Sequence, residues 1–164
     1  YDQARVWVER AAPRVVWDLY CGVGGFALHA TAPGRTVVGV ESSRDAVEAA
    51  RAAVAGGPDA GRVTFVVGDA TTTTPAPAPE LVIVNPPRRG IGPGLAAWLD
   101  ASTAAHVIYS SCNVDSLAED LRRMPSLHAV TGRVFDMFPQ TTHTEVMVLL
   151  RRAAPGPDPL GSRE

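Results

Sequence analysis

Five places in this 164-residue sequence carry side chains of the kind that do chemistry, and most follow a short apolar run. The first is Asp18-Leu19-Tyr20-Cys21-Gly22-Val23-Gly24-Gly25. Glycines let a backbone turn tightly and approach a ligand closely, although Gly22-x-Gly24 alone also fits a dinucleotide site. Glu41 is placed to accept hydrogen bonds from ribose hydroxyls, which again suits a dinucleotide. Asp69 stands where an adenine amino group would need an acceptor, and Asn85-Pro86-Pro87 stands where a sulfonium methyl would sit. A dinucleotide enzyme has no need of that last motif. Glu41 or Asp69 taken singly fits a strand-end cap, but four such signals in register point to S-adenosylmethionine. The fifth place is Ser110-Ser111-Cys112-Asn113. A free cysteine judged without context reads as a small buried hydrophobe, and Cys21 reads as structural. Glu145, just before an apolar run, reads by itself as a solvent-facing charge.

Short apolar runs alternating with Ala-rich amphipathic runs position these groups. The pattern predicts strands at 15–20, 36–41, 63–68, 81–84, 107–110, 128–135 and 146–150. It predicts helices at 26–32, 44–55, 95–101 and 116–124, with Ser42-Ser43 capping the second and Glu48 near its first turn. The Thr/Pro/Ala run at 71–79 is a loop. Strands alternating with helices imply a parallel sheet covered on both faces. Uninterrupted apolar strands such as Leu81-Val82-Ile83-Val84 agree. The last two strands have no helix between them and should form an antiparallel edge hairpin. The expected fold is therefore a Rossmann-like α/β domain with a seven-stranded, mostly parallel sheet. Ligands in such sheets bind beyond the carboxyl ends of the strands. Residues 1–152 read as one domain and 153–164 as a loose Pro/Gly-rich tail.

Composition narrows the class. Hydrophobic residues make up 46%, charged residues 20%, and the net charge is −2. That is a globular composition with no apolar run near the roughly 20 residues that span a bilayer. The N-terminus lacks the layout of a signal peptide, so a cytoplasmic location is expected. Two cysteines form no metal-binding cluster, and no metal is expected. Every basic residue other than histidine is arginine. Bulk charge gives no nucleic-acid footprint, leaving the pairs Arg88-Arg89, Arg122-Arg123 and Arg151-Arg152 as local candidates.

The runs Asn85-Pro86-Pro87-Arg88-Arg89-Gly90-Ile91-Gly92 and Ser110-Ser111-Cys112-Asn113 resemble those of the RNA uridine C5-methyltransferases, which make 5-methyluridine. The likeness spans Asp18 to about Leu150 and includes Asp18–Ala27, Gly39–Glu41 and Phe135–Glu145. The wording of 85–92 and 135–141 is more similar to the bacterial branch acting on 23S ribosomal RNA than to the transfer-RNA branch. The resemblance implies S-adenosylmethionine as cofactor and RNA as substrate: 23S ribosomal RNA first, transfer RNA second, with the enzyme a monomer. It also implies Cys112 as a nucleophile that adds to C6 of uracil, and Glu145 as the base that removes the C5 proton. Tyr20, Gly22, Gly25, Glu41 and Asn85 match cofactor positions, and Asp69 is a looser carry-over. Arg88 is placed to hold a uracil carbonyl or a phosphate, and His143 to orient Glu145 or touch RNA.

Two departures stand out. Relatives carry Pro after Ser-Cys-Asn where this chain has Val114, and they carry an upstream Gln motif that is missing here. The chain therefore reads as the catalytic portion of a longer protein. Two other readings stay open at this point. An amino-group methyltransferase also uses Asn-Pro-Pro but needs neither Cys112 nor Glu145. A fragment that binds RNA or cofactor without turnover needs only the loops.

Overall fold

The computed structural model describes residues 1–136 and 144–153. The chain runs α1 (Asp2–Ala11), β1 (Val15–Leu19), α2 (Gly25–His29), β2 (Thr36–Glu41), α3 (Arg44–Val54), β3 (Val63–Val67) and β4 (Leu81–Val84). It continues with α4 (Gly92–Ala101), β5 (His106–Ser111), α5 (Val114–Arg122), β6 (Leu127–Phe135) and β7 (Glu145–Arg152). The strands form one seven-stranded sheet in the order β3-β2-β1-β4-β5-β7-β6. The first five strands run parallel, while β7 runs antiparallel to both β5 and β6. This is the mostly parallel α/β sheet expected from the apolar periodicity, with the final pair at one edge.

Alternation along each strand divides the core into two layers. Val16, Leu81, Ile83 and Ile108 pack with Ala4, Trp7, Val8, Phe26, Ala27, Val47 and Ala50 from α1, α2 and α3. Trp17, Val82, Val84, Val107 and Tyr109 pack with Leu95, Ala96, Leu99 and Leu117 from α4 and α5. Each fully buried Val, Leu or Ile contributes about 1.5–3 kcal/mol. Both faces of β4 are sealed, which is why its four residues are all apolar.

Three details depart from expectation. α1 was not predicted from the sequence; its buried Ala4, Trp7 and Val8 follow i, i+3, i+4 spacing, a stripe of only three residues. Helix α4 starts at Gly92, ahead of the predicted Leu95, with Pro93 in its first turn. Ser43 caps α3 by accepting from Ala46 N at 3.3 Å, while exposed Glu48 lies beyond the first turn and plays no part. The β6 edge carries a bulge between Ala129 and Thr131 that leaves Val130 exposed, a feature that blunts edge pairing. The predicted tail from 154 on lies outside the described residues.

Candidate active site

Parallel pairing of β1 to β5 points their carboxyl ends to one edge of the sheet. Antiparallel β7 begins at that edge and β6 ends there. The fold therefore gathers Tyr20, Gly22, Gly25, Glu41, Asp69, Asn85, Arg88, Cys112 and Glu145 along one rim. His143 lies outside the described residues.

The turn after β1 is built from conformations that L-residues avoid. Tyr20 has φ +63°, Gly22 +55° and Gly24 +89°. A non-glycine residue held at positive φ costs roughly 1–3 kcal/mol and marks sites where the backbone is shaped for a purpose. Gly22 faces open space, so a ligand can approach its backbone. Gly24 and Gly25 are required by packing, since a Cβ would meet the Phe65 ring at 2.7 Å or the Tyr1 ring at 2.5 Å. Burial and the negative charge of Asp69 push the Tyr20 phenol up, so it stays a neutral hydroxyl.

Glu41 ties this turn to β2. Its Oε2 accepts from Gly22 N at 3.1 Å, and its Oε1 accepts from Ser43 N at 2.8 Å and Ser42 Oγ at 3.0 Å. Burial alone would raise its pKa, but these hydrogen bonds outweigh it and hold the carboxyl below the usual range. Oε2, with one donor, has room for a ribose hydroxyl. Exposed Asp69 takes Thr71 N at 2.8 Å and Thr71 Oγ1 at 2.7 Å, both on Oδ1. Those bonds keep its carboxylate ionised and able to accept from an amino group. The rim therefore offers acceptors at β2 and β3 and an approachable backbone at β1, the partners that the hydroxyls and amino group of an adenosine-bearing ligand require.

Asp18 was not singled out by sequence reasoning, and it is fully buried. Its Oδ2 accepts from Ala27 N at 2.8 Å, which fixes α2 to β1, while Oδ1 has no partner. Burial pushes its carboxyl up to about 8 against the lowering by the Ala27 bond, and Glu41 adds to the rise. The native state then holds a proton that the unfolded chain releases above about pH 4. That stabilising contribution is complete below pH 4 and lost as pH rises through 8. Asp18→Asn keeps an acceptor for Ala27 but removes the titration. In melting curves at pH 5 and pH 8, the unsubstituted chain is expected to lose several degrees more than the variant. Equal losses would contradict the linkage.

Asn85 is exposed at the end of β4 and lines a cavity of about 240 Å³ together with Ser110 and Glu145. Tyr1, Phe26, Phe135 and Met147 form its apolar walls. Aromatic walls around a few polar groups suit a planar heterocycle. A larger groove of about 590 Å³ lies at the opposite edge, beside His106, His128 and the arginine pair Arg151-Arg152, and contains none of the predicted cofactor or catalytic residues.

Cys112 is a free thiol, partly exposed on the turn between β5 and α5. It is not packed into the core, nor is it in the wall of the 240 Å³ cavity. Register relates it to Glu145. Ser110 pairs with Met147 and Ser111 with Val146, which brings the end of β5, just before Cys112, to the start of β7 at Glu145. On the other side Phe135 pairs with Glu145. Ser110, 2% exposed, donates its hydroxyl to Glu145 Oε1 at 2.5 Å and fixes the carboxylate toward the cavity. Sequence reasoning missed this link, which joins residues 35 positions apart. Cys21 is the opposite kind of cysteine. It is buried, and its thiol is pushed up by burial and then by Asp18 and Glu41, which leaves it un-ionised.

The arginine pairs separate by context. Arg122 and Arg123 bridge to Glu119, and Arg123 also bridges to Asp120, within α5. Arg152 is spent on the carbonyl oxygens of Leu99, Asp100 and Ala104 at the end of α4. Only Arg88-Arg89 sits exposed on the rim.

Residues 77–153 match the family described as tRNA (uracil-5-)-methyltransferase, and residues 16–85 match a general methyltransferase domain. The 23S rRNA (uracil(747)-C(5))-methyltransferase of Vibrio cholerae is 44% identical over 93% of this chain. The enzyme of the same name from Halothiobacillus neapolitanus is 47% identical over 93% of the chain. The chain is similar in sequence to the uracil-5-methyltransferases. Members carry more than this domain: the chain spans 41% of the length of those two curated relatives. Among solved structures, the tRNA (uracil-54, C5)-methyltransferase of Pyrococcus abyssi, in complex with S-adenosyl-L-homocysteine, superposes with a TM-score of 0.75. It is 29% identical, and the match covers 90% of this chain and 38% of that one. The match at 77–153 takes in the loop after β4, Cys112 and Glu145, while Tyr20, Gly22, Gly25, Glu41 and Asp69 fall within the general methyltransferase match at 16–85.

Proposed function

We propose that the chain is the catalytic domain of an enzyme that methylates C5 of a uridine in RNA, with 23S ribosomal RNA as the substrate. Its bacterial relatives named for that reaction support the reading. What supports it most is that β5 and β7 run together, bringing the turn that carries Cys112 to the sheet end where Glu145 and Asn85 line an aromatic-walled cavity.

Tyr20, Gly22, Gly25, Glu41, Asp69 and Asn85 would hold S-adenosylmethionine, with Gly25 acting by admitting Tyr1 to the wall. When bound, this cofactor supplies an electrophilic methyl group. Carbon 5 of uracil is too weak a nucleophile to take that methyl unaided. The Cys112 thiolate adds to C6, and the electron pair of the C5–C6 double bond moves to form an enolate. Carbon 5 would then take the methyl, whose bond to the sulfonium sulfur breaks to leave a neutral thioether, and would retain its hydrogen. Glu145 removes that hydrogen as a proton, the double bond re-forms, and the C6–S bond breaks to return the thiolate. The target base has to leave its stack to reach the cavity. Arg88, exposed three residues after Asn85, would hold the uracil carbonyl or a neighbouring phosphate.

Mass spectrometry of nucleosides from ribosomal and transfer RNA, with and without the gene, tests the reading. Loss of one 5-methyluridine from 23S ribosomal RNA is expected. Loss of an amino-methylated nucleoside would instead favour the amino-group reading and remove any need for Cys112.

A further inference from the structure

Asp120 of α5 is 1% exposed, yet it is a carboxylate. Its Oδ2 accepts from Ile91 N at 2.8 Å and from the Tyr109 hydroxyl at 2.7 Å, and its Oδ1 accepts from Arg123 Nη1 at 3.2 Å. Gly90 has φ +81°, and a Cβ there would overlap Asp120 Oδ2. The end of the Asn85–Ile91 loop is thus moulded onto this one carboxylate. A second tie lies at the rim. Asn113 donates its Nδ2 to Arg88 O at 3.1 Å, and its Oδ1 caps α5 through Asp115 N at 3.0 Å and Ser116 N at 3.4 Å.

We propose that Asp120, helped by Asn113, is a positioning residue that locks the Asn85–Ile91 loop to the turn and helix that carry Cys112. The inference rests on the methyl-transfer reading above. In that reaction the sulfur bonds to C6 while the methyl arrives at C5, two neighbouring atoms of one ring. The loop carrying Asn85 and the turn carrying Cys112 therefore have to hold a fixed separation. A misplacement of about 1 Å costs roughly 100-fold in rate. An apolar residue at 120 would fill the space but leave Ile91 N and the Tyr109 hydroxyl without an acceptor. Among the described residues, Asp120 lines neither the 240 Å³ cavity nor the 590 Å³ groove, and it acts through the loop it holds.

The test compares Asp120→Ala and Asp120→Asn in the full chain, reading steady-state methylation of RNA and amide hydrogen exchange. Asp120→Ala is expected to lower kcat about 100-fold while the KM for S-adenosylmethionine stays within about 3-fold. Exchange is expected to rise at 88–91 and to stay unchanged in β1 to β3. Asp120→Asn retains an oxygen for Ile91 N and is expected to recover most of the lost rate. An unchanged kcat in Asp120→Ala, or exchange rising throughout the chain in step with a general loss of activity, would overturn the proposal. Should Asp120→Ala not fold, Asn113→Asp keeps the oxygen that caps α5 and loses only the Nδ2 donor to Arg88 O; a fall of about 10-fold in kcat is expected, and no fall counts against the lock. If the unsubstituted chain methylates no RNA, the functional reading fails. The exchange arm, which needs no activity, then decides the lock separately.

Discussion

The Cys112→Ala substitution is expected to lower uridine methylation by about 10⁴-fold or more, equivalent to roughly 5 kcal/mol of barrier. The size follows from what the thiol does. Without addition at C6 the pyrimidine has no charge at C5, and positioning alone cannot replace that activation. The fold should tolerate the change. Cys112 sits partly exposed on a turn, and α5 is capped by Asn113 and not by the cysteine. Melting should therefore move by no more than about 1 kcal/mol. Cofactor binding, followed by calorimetry, should also persist, because Glu41, Asp69 and the glycine turn lie on β1 to β3. Retained methylation in a folded Cys112→Ala chain would remove the nucleophile from the account.

Glu145→Gln should give a different failure. The amide oxygen of glutamine can still accept from Ser110, so the side chain keeps its place while losing its basicity. Addition and methyl transfer do not require the base, but the C5 proton then has no acceptor. A covalent, methylated protein–RNA species should accumulate on ordinary uridine RNA and run as a band resistant to denaturant. Turnover should fall by about 10²–10⁴-fold, the range for loss of a general base. Rapid turnover with no trapped species would show that another group takes the proton. Slow turnover without a trapped species would place the defect before addition and argue for a binding role.

The sheet was legible because burial on both faces writes itself into a strand. Leu81–Val84 and Thr36–Glu41 have the predicted bounds, since every inward position on either face demands an apolar residue. Strand ends carrying Glu41, Asp69, Asn85 and Cys112 were legible for a related reason: parallel topology sends all carboxyl ends to one rim. α1 was not legible, because three buried residues make too thin a stripe to distinguish from a loop. The long-range ties were not legible either. Nothing local marks Ser110 as the partner of Glu145, or Asp120 as the acceptor for Ile91 N. Such bonds depend on the β5–β7 register and on the docking of α5, which periodicity does not encode. The glycines were half legible. Their spacing indicated a turn, but Gly24 and Gly25 prove to be set by Phe65 and Tyr1. The engagement of Arg122 and Arg123 by Glu119 and Asp120 was not legible either, because pair spacing carries no record of partners.

Covalent attachment through Cys112 is the claim on which the chemistry rests, and RNA containing 5-fluorouridine tests it directly. Fluorine cannot leave C5 as a cation, so the reaction should stop after methyl transfer with the protein bonded to C6. Digestion and mass spectrometry of the trapped species are expected to find the fluorinated, methylated pyrimidine on the peptide containing Cys112. A modified pyrimidine on any other residue, or methylation with no protein–RNA bond under these conditions, would contradict the account.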